Sequence, residues 1–358
     1  LVVEGPLMAV LALAALMLYS ACYTIFTVPY LAMPPDIATS YDGRTRVMSF
    51  RVFFLMAGVL AGSAGAPMVV QMMGGGAEGY RVLGMLLGGI AVVVGLVAFA
   101  GSRPLPYPKA LDSRGESAGK LALSPFVDML AVLRNVPFRL LTLVKLCQLA
   151  VLAVALACTP YFFTFVLQRS PADIGLYLLV FGLSGIASLP LWRKVIARFG
   201  KKETYMVLLV AYAVGMASWF LWQPNELEVF FYLRALFIGM ASTGTVLCAL
   251  ALLPDTMEFD RLTCGRSRDG VISGVFTLVE KIAGALGPLV IGALLGAMGL
   301  VAGSGPDIVQ PDSALLAVKV GMSLIPALFC LAAIPFLMAY RLDEQGLNDA
   351  RRAAVAAV

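Results

Sequence analysis

The chain has 358 residues, of which 60% are apolar and only 13% charged, with a net charge of +5 and a mean hydropathy of +0.91. Soluble domains carry about 25% charged residues, so a globular cytosolic enzyme and a disordered chain are both excluded and the class is integral membrane protein. No histidine is present, which removes the commonest general base and metal ligand.

Nine apolar segments are long enough to cross about 30 Å of hydrocarbon at about 1.5 Å per residue. They run over 6–33, 47–73, 80–102, 140–167, 174–197, 204–222, 229–254, 271–300 and 315–340. The first ends at AMPPD (32–36), and Tyr41-Asp42, Arg44 and Arg46 lead into the second, which carries Arg51 about one turn inside. The stretch 103–139 is polar, basic and proline-rich, and reads as a linker with a short amphipathic helix near 126–134 at the interface. The fourth span carries Lys145, and GKK (200–202) makes a tight basic turn between the fifth and sixth. The seventh carries Arg234 and ends at Pro254, followed by Asp255, Glu258 and Arg261; the eighth carries Thr277, Glu280 and Lys281, and the ninth Lys319. The six cysteines form no CxxC, and five lie in apolar runs, where they read as small buried residues rather than disulfide or metal partners.

Alternate loops collect nineteen Lys and Arg residues on one side and only Arg81 and Arg169 on the other. The positive-inside rule then places the C-terminus and the 103–139 loop in the cytoplasm and residue 1 outside, in a cytoplasmic (inner) membrane. The charge therefore sets topology and carries no nucleic-acid signal.

An internal repeat organises the spans. AMPPD at 32–36 and ALLPD at 251–255 are each followed by an aromatic–Asp pair (Tyr41-Asp42, Phe259-Asp260), an Arg-containing loop and a span with a small-residue run, AGSAGAP at 61–67 and AGALGP at 283–288. Two such halves in parallel describe an all-α major facilitator fold, here helices 4–12 of a twelve-helix carrier. The expected domains are 1–103, three helices of an N-terminal half; 104–138, a cytoplasmic linker; 139–341, a complete C-terminal half; and 342–358, a cytoplasmic tail. The odd span count and the Leu at residue 1 predict three further spans upstream.

A charge in mid-membrane costs at least about 2.5–3.5 kcal/mol, so charges within spans are the functional candidates. Lys281 leads them: it lies near mid-depth, with Thr277 one turn earlier on the same face and Gly284, Gly287 and Pro288 following to admit a neighbouring helix. It must pair with a carboxylate, a carbonyl or a substrate hydroxyl. Glu280 is about 100° away around the helix and does not share its pocket. Arg51 either snorkels to the interface or offers its planar donors to substrate; Lys145, Arg234 and Lys319 read as snorkelling or structural. Asp255, Glu258 and Arg261 follow i, i+3 spacing that suits pairing with Arg193 or Arg198 to close the cytoplasmic side.

Two blocks carry a family resemblance: YTIFTVPYLAMPPDIATSYDGRTRVMSFR at 23–51, and LLPDTMEFD at 252–260 with FTLVEKIAGALG at 276–287. They resemble the glycoside–pentoside–hexuronide:cation symporters, whose best-known member is melibiose permease. The resemblance implies symport of a sugar or glycoside with Na+, Li+ or H+, and no cofactor besides that ion. It also implies substrate contacts from Tyr23, Arg51, Thr277 and Lys281, a cation role for Thr24, and a cytoplasmic charge network from Asp255 and Glu258. Thr27 replaces a sugar-binding aspartate of the melibiose permease pattern, and Leu31 and Val246 replace tryptophans, so the resemblance does not extend to galactoside recognition. The family's cation-chelating carboxylates belong to a helix expected upstream. The sequence thus reads as a monomeric secondary carrier in the lipid bilayer, with small-molecule cargo and a coupling cation as its partners. An anionic cargo, a hexuronide or a lysolipid, is the alternative that two cations facing one carboxylate favour, and an inactive fragment of such a carrier is another. No HExxH, GxSxG or paired-aspartate motif supports a membrane enzyme.

Overall fold

The computed structural model describes residues 6–38, 40–102, 124–223, 226–265, 267–301 and 310–356, and these contain helices and their connections with no strand. In chain order the helices are α1 (Pro6–Ala32), α2 (Pro34–Ile37), α3 (Tyr41–Leu60), α4 (Ala66–Met72), α5 (Gly76–Ser102), α6 (Ser124–Leu133), α7 (Val136–Tyr161), α8 (Pro171–Phe199), α9 (Lys201–Ala217), α10 (Glu228–Cys264), α11 (Asp269–Ala297), α12 (Asp312–Met322), α13 (Leu324–Ala339) and α14 (Glu344–Ala356). Joined through short breaks, nine of the described helical stretches are long and apolar enough to cross a bilayer, as the sequence predicts. The 103–123 part of the expected linker lies outside the described residues; the short helix expected near 126–134 is α6.

Local signals set the boundaries. Asn135 caps α7 by accepting the Phe138 N–H at 3.3 Å, and Ser170 with Asp173 closes a capping box ahead of Pro171 on α8. Gly265, left-handed at φ 64°, ends α10. Here the expectation is corrected: α10 does not stop at Pro254 but runs ten residues further, to Cys264. A mid-helix proline is tolerated where packed neighbours hold the backbone, and Pro254 is buried. Wide π-turns at Ala61–Gly65 and Phe162–Val166 lie beside Pro67 and Pro160, prolines that break the regular ladder.

α7 to α13 form the packed body. α10 lies against α8 and α9, α7 against α11 and α13, and α9 against α13. Small residues permit the closest approaches: Gly287 of α11 meets the Ala153 backbone of α7, where a Cβ would lie 2.4 Å from its carbonyl carbon. α1 touches this body through α11, and α3 through α8 and α10. α5 packs against α4 and leaves almost all of its surface open. At the end away from the basic loops, Phe162, Phe163, Tyr177, Trp219, Trp222 and Phe231 form one aromatic cluster, with the Arg169 guanidinium 4.5 Å from the Phe231 ring. All six rings are buried, so they form the core of that end of the bundle.

Candidate substrate site and the basic-end charge network

Helix arithmetic puts the mid-membrane charges on one level. α3, α7 and α11 begin at the basic end and α1 finishes there. Counted from those helix ends at about 1.5 Å per residue, Arg51, Lys145, Glu280, Lys281, Tyr23 and Ser20 all fall about 14–18 Å along, so they share one level of the bundle.

The side chains meet at that level. The Lys281 ammonium donates to the Ser20 hydroxyl and sits 5.6 Å from the centre of the Tyr23 ring, joining α11 to α1. Lys145 is 3% exposed, and its ammonium lies 3.7 Å from the Glu280 carboxylate and 5.2 Å from the Phe276 ring. The Arg51 guanidinium rests 4.8 Å from the Tyr30 ring, within electrostatic reach of Glu280 and Tyr23. Its Nη1 is buried and has no hydrogen-bond partner. A buried donor left unpaired costs about 1–3 kcal/mol, and more when charged, so this guanidinium has capacity for an acceptor beyond the described residues.

Of the two readings left for Lys145, snorkelling or structural, the structure gives the structural one: it is a buried ion-pair partner nine residues into α7. Of the two readings left for Arg51, the inward one holds, because its guanidinium lies on the Tyr30 ring with Nη1 buried. Arg234 keeps its structural reading, with a two-pronged pair to Glu226 at 2.8 and 2.6 Å. Thr277 is 1% exposed and donates to the Ser273 carbonyl at 2.9 Å; Thr24 likewise donates to the Ser20 carbonyl at 2.7 Å. Both hydroxyl protons are thus engaged with their own helices, and neither residue touches Lys281 through a hydrogen bond among those described.

Asp255, Glu258 and Arg261 do form a network at the basic end, but with partners other than those expected. Asp255 accepts from Arg44 at 3.0 Å and from Lys201 at 2.6 Å, not from Arg193 or Arg198. Glu258 pairs with Arg44 and with Arg351 of α14, at 2.8 and 2.9 Å to the latter. Arg261 bridges Asp36 at 2.8 Å and Asp269. Arg193 is exposed and lines a separate groove with Asp42, Thr45 and Arg46, while Arg198 lies over Phe199. The cause is the turn at Gly200, whose φ of 92° suits glycine and reverses the chain in one residue. Lys201 thereby enters the core, 0% exposed, with its ammonium 3.4 Å from the centre of the Tyr41 ring. Arg44 and Lys201 were missed as partners in the sequence. The repeat held part of the signal, because each Pro-Asp block is followed by an Arg-containing loop.

A family model described as MFS/sugar transport protein matches residues 2–344. The chain belongs to that family. Among its relatives, a candidate sulfoquinovose importer of Salmonella typhimurium is 25% identical over 95% of this chain and 69% of its own length. A candidate glycoside/cation symporter of Escherichia coli is 26% identical over 91% and 68%. The fold is also that of the solved fucose:proton symporter FucP of E. coli, with a TM-score of 0.57 at 14% identity over 88% of this chain and 73% of that one. This member of the MFS sugar-transport family is a multi-pass membrane transporter, not an enzyme.

Proposed function

We propose that this carrier is a cation-coupled symporter that moves a sugar or glycoside bearing an acid group across the cytoplasmic membrane by alternating access. One observation supports the acid group above the others: Lys145 and Arg51 share one described carboxylate, Glu280, Lys281 adds a cation on the neighbouring face of α11, and a buried N–H of Arg51 has no acceptor among the described residues. A carboxylate or sulfonate meets a guanidinium with paired, charge-assisted hydrogen bonds. The relative named for sulfoquinovose points to a cargo of the same kind. Tyr23 offers a ring face to the sugar beside Lys281, and Thr277 and Thr24 supply further oxygens when the helices rearrange. A neutral glycoside is the second reading, favoured by the exposed rings of Tyr23 and Tyr30, 43% and 41% open, on which a pyranose can lie.

The charge network is the gate in this reading. It ties α3 to α10 and α14 at the basic end, which the cation bias assigns to the cytoplasm, and it must part for that side to open. The test is equilibrium binding of methyl glucuronide and methyl glucoside to the purified protein. The acidic sugar should bind at least tenfold more tightly, and Arg51→Gln should erase the difference. Equal affinities in the unaltered protein refute the acid-group reading.

A further inference from the structure

The basic end carries cations that the closing network does not use. Arg44, Lys201, Arg261, Arg268 and Arg351 each meet a carboxylate there. Arg46, Arg193 and Lys194 are exposed instead, and their side chains make no ion pair or hydrogen bond among the described residues. All three line one groove of about 390 Å³ between α3 and α8, where Asp42 is the one carboxylate on the wall. Arg46 lies five residues after the start of α3, and Arg193 and Lys194 lie six and five before the end of α8. At about 1.5 Å per residue they stand level, about 7–9 Å in from the helix ends. Like charges facing each other across two helices repel, so packing α3 on α8 leaves a concave site that an anion offsets. Deeper along the same faces both helices turn apolar. Phe50 and Phe53 follow Arg46, and Pro190, Ala187 and Leu183 precede Lys194, each set on one helix face and all of them exposed. The two helices touch further in, where a Cβ on Gly182 would lie 3.1 Å from Leu60, so the groove opens at their basic end.

We infer that this groove holds the headgroup of an anionic phospholipid, its phosphate bridging Arg46 of α3 to Arg193 and Lys194 of α8, with acyl chains along the apolar faces beneath. A phosphodiester carries one negative charge and several acceptor oxygens, which suits guanidinium donors on two sides and an ammonium beside them. Basic pockets between spans, level with a membrane surface, take such headgroups. Asp42, in the first turn of α3, stands nearest the water and is placed to accept from a hydroxyl of a phosphatidylglycerol headgroup. A soluble anion would use the cations alone. The lengthwise order, charge at the helix ends and exposed Phe50, Phe53, Leu183 and Pro190 below, matches a lipid instead. A headgroup held from both helices ties α3 to α8 across the sequence on either side of the linker. It is thus a second brace at the closed basic end, beside the Arg44–Asp255 pair. The site needs no particular cargo and stands apart from the acid-group reading.

The test is native mass spectrometry of the whole chain, released from detergent micelles doped equally with phosphatidylglycerol and phosphatidylcholine of the same acyl chains. The unaltered protein should retain phosphatidylglycerol at least about tenfold more often. Arg46→Gln alone, and Arg193→Gln with Lys194→Gln, should each lower that preference severalfold, and the three together should abolish it. Arg134→Gln, Arg139→Gln and Arg341→Gln together remove three exposed cations at the same end but outside the groove, and should leave the preference unchanged. Equal loss in that control overturns the inference, because retention then follows diffuse charge. Loss confined to the cations of one helix overturns the bridge. Phosphatidylglycerol should also raise the melting temperature of the unaltered protein and not that of the groove triple variant. Inorganic phosphate alone should raise neither, and a rise equal to that with phosphatidylglycerol assigns the groove to a soluble anion and overturns the lipid. Should the triple variant fail to fold, the unaltered protein decides: equal retention of phosphatidylglycerol and phosphatidylcholine overturns the inference.

Discussion

Replacing Asp255 by asparagine keeps the shape of the side chain and deletes its charge. Lys201 and Arg44, whose side chains are 0% and 2% exposed, then face a neutral amide. At the 2.6 Å separation of Lys201 and Asp255, the bare attraction in an effective dielectric of 20 is about 6 kcal/mol. Desolvation offsets much of this, and breaking a buried pair from one side costs about 3–5 kcal/mol. Arg44 retains Glu258 and the Ala38 carbonyl at 3.0 Å, so the main loss falls on Lys201, which keeps only the Ala251 carbonyl at 3.2 Å and the Tyr41 ring. Asp255→Asn should therefore lower the unfolding free energy in mixed micelles by about 3–5 kcal/mol. Adding Lys201→Met removes the stranded ammonium, and the double variant should be more stable than the sum of the single changes by about 1–3 kcal/mol, the range for residues in one charge network. Additivity of the two substitutions within about 0.5 kcal/mol would refute the claim that the two charges hold each other.

Lys281→Ala removes a charged donor at the Tyr23 level and should weaken cargo binding roughly tenfold to a hundredfold, from the loss of about 1.5–3 kcal/mol. Lys281→Met should be equally defective while inserting normally, and normal binding with a lower melting temperature would make Lys281 a structural residue. Gly287→Val places a Cβ against the Ala153 backbone and should cost about 1–3 kcal/mol, whereas Gly284→Ala, one turn earlier and facing open space, should leave stability unchanged in the same assay. A fluorescent reporter fused after Val358 should glow in the cytoplasm, and a thiol label at Gly299→Cys should react from outside; the opposite pattern inverts the proposed orientation.

The spans were legible because a membrane segment announces itself through length and apolarity, and each predicted core from 6–33 to 315–340 lies within or across an observed helix. Helix ends were less so. α3 and α10 extend past the hydrocarbon into polar sequence, through Arg44 and Asp42 in one case and Glu258 and Arg261 in the other, because neighbouring helices supply ion-pair partners there. The resemblance named both Tyr23 and Lys281 as substrate contacts, and the structure brings the two together. The fate of Lys201 does not, because nothing in GKK says which of its two lysines turns inward; the positive φ at Gly200 decides that.

The two pairs Arg44–Asp255 and Arg261–Asp36 are crosswise. Asp36 and Asp255 occupy matching places in the repeat, and each is held by an arginine from the other Pro-Asp block, although Arg44 stands eight residues after its own block's aspartate and Arg261 six. One acid and one base from each block therefore form two clasps at this end, and a substitution reversing the charges of one clasp leaves the other in place as an internal standard. The lysine and the tail arginine that reinforce this frame, Lys201 and Arg351, fall on the second half and its tail. The two clasps are thus braced unequally, the Asp255 one by Lys201 and, through Glu258, by Arg351, and the Asp36 one through Asp269.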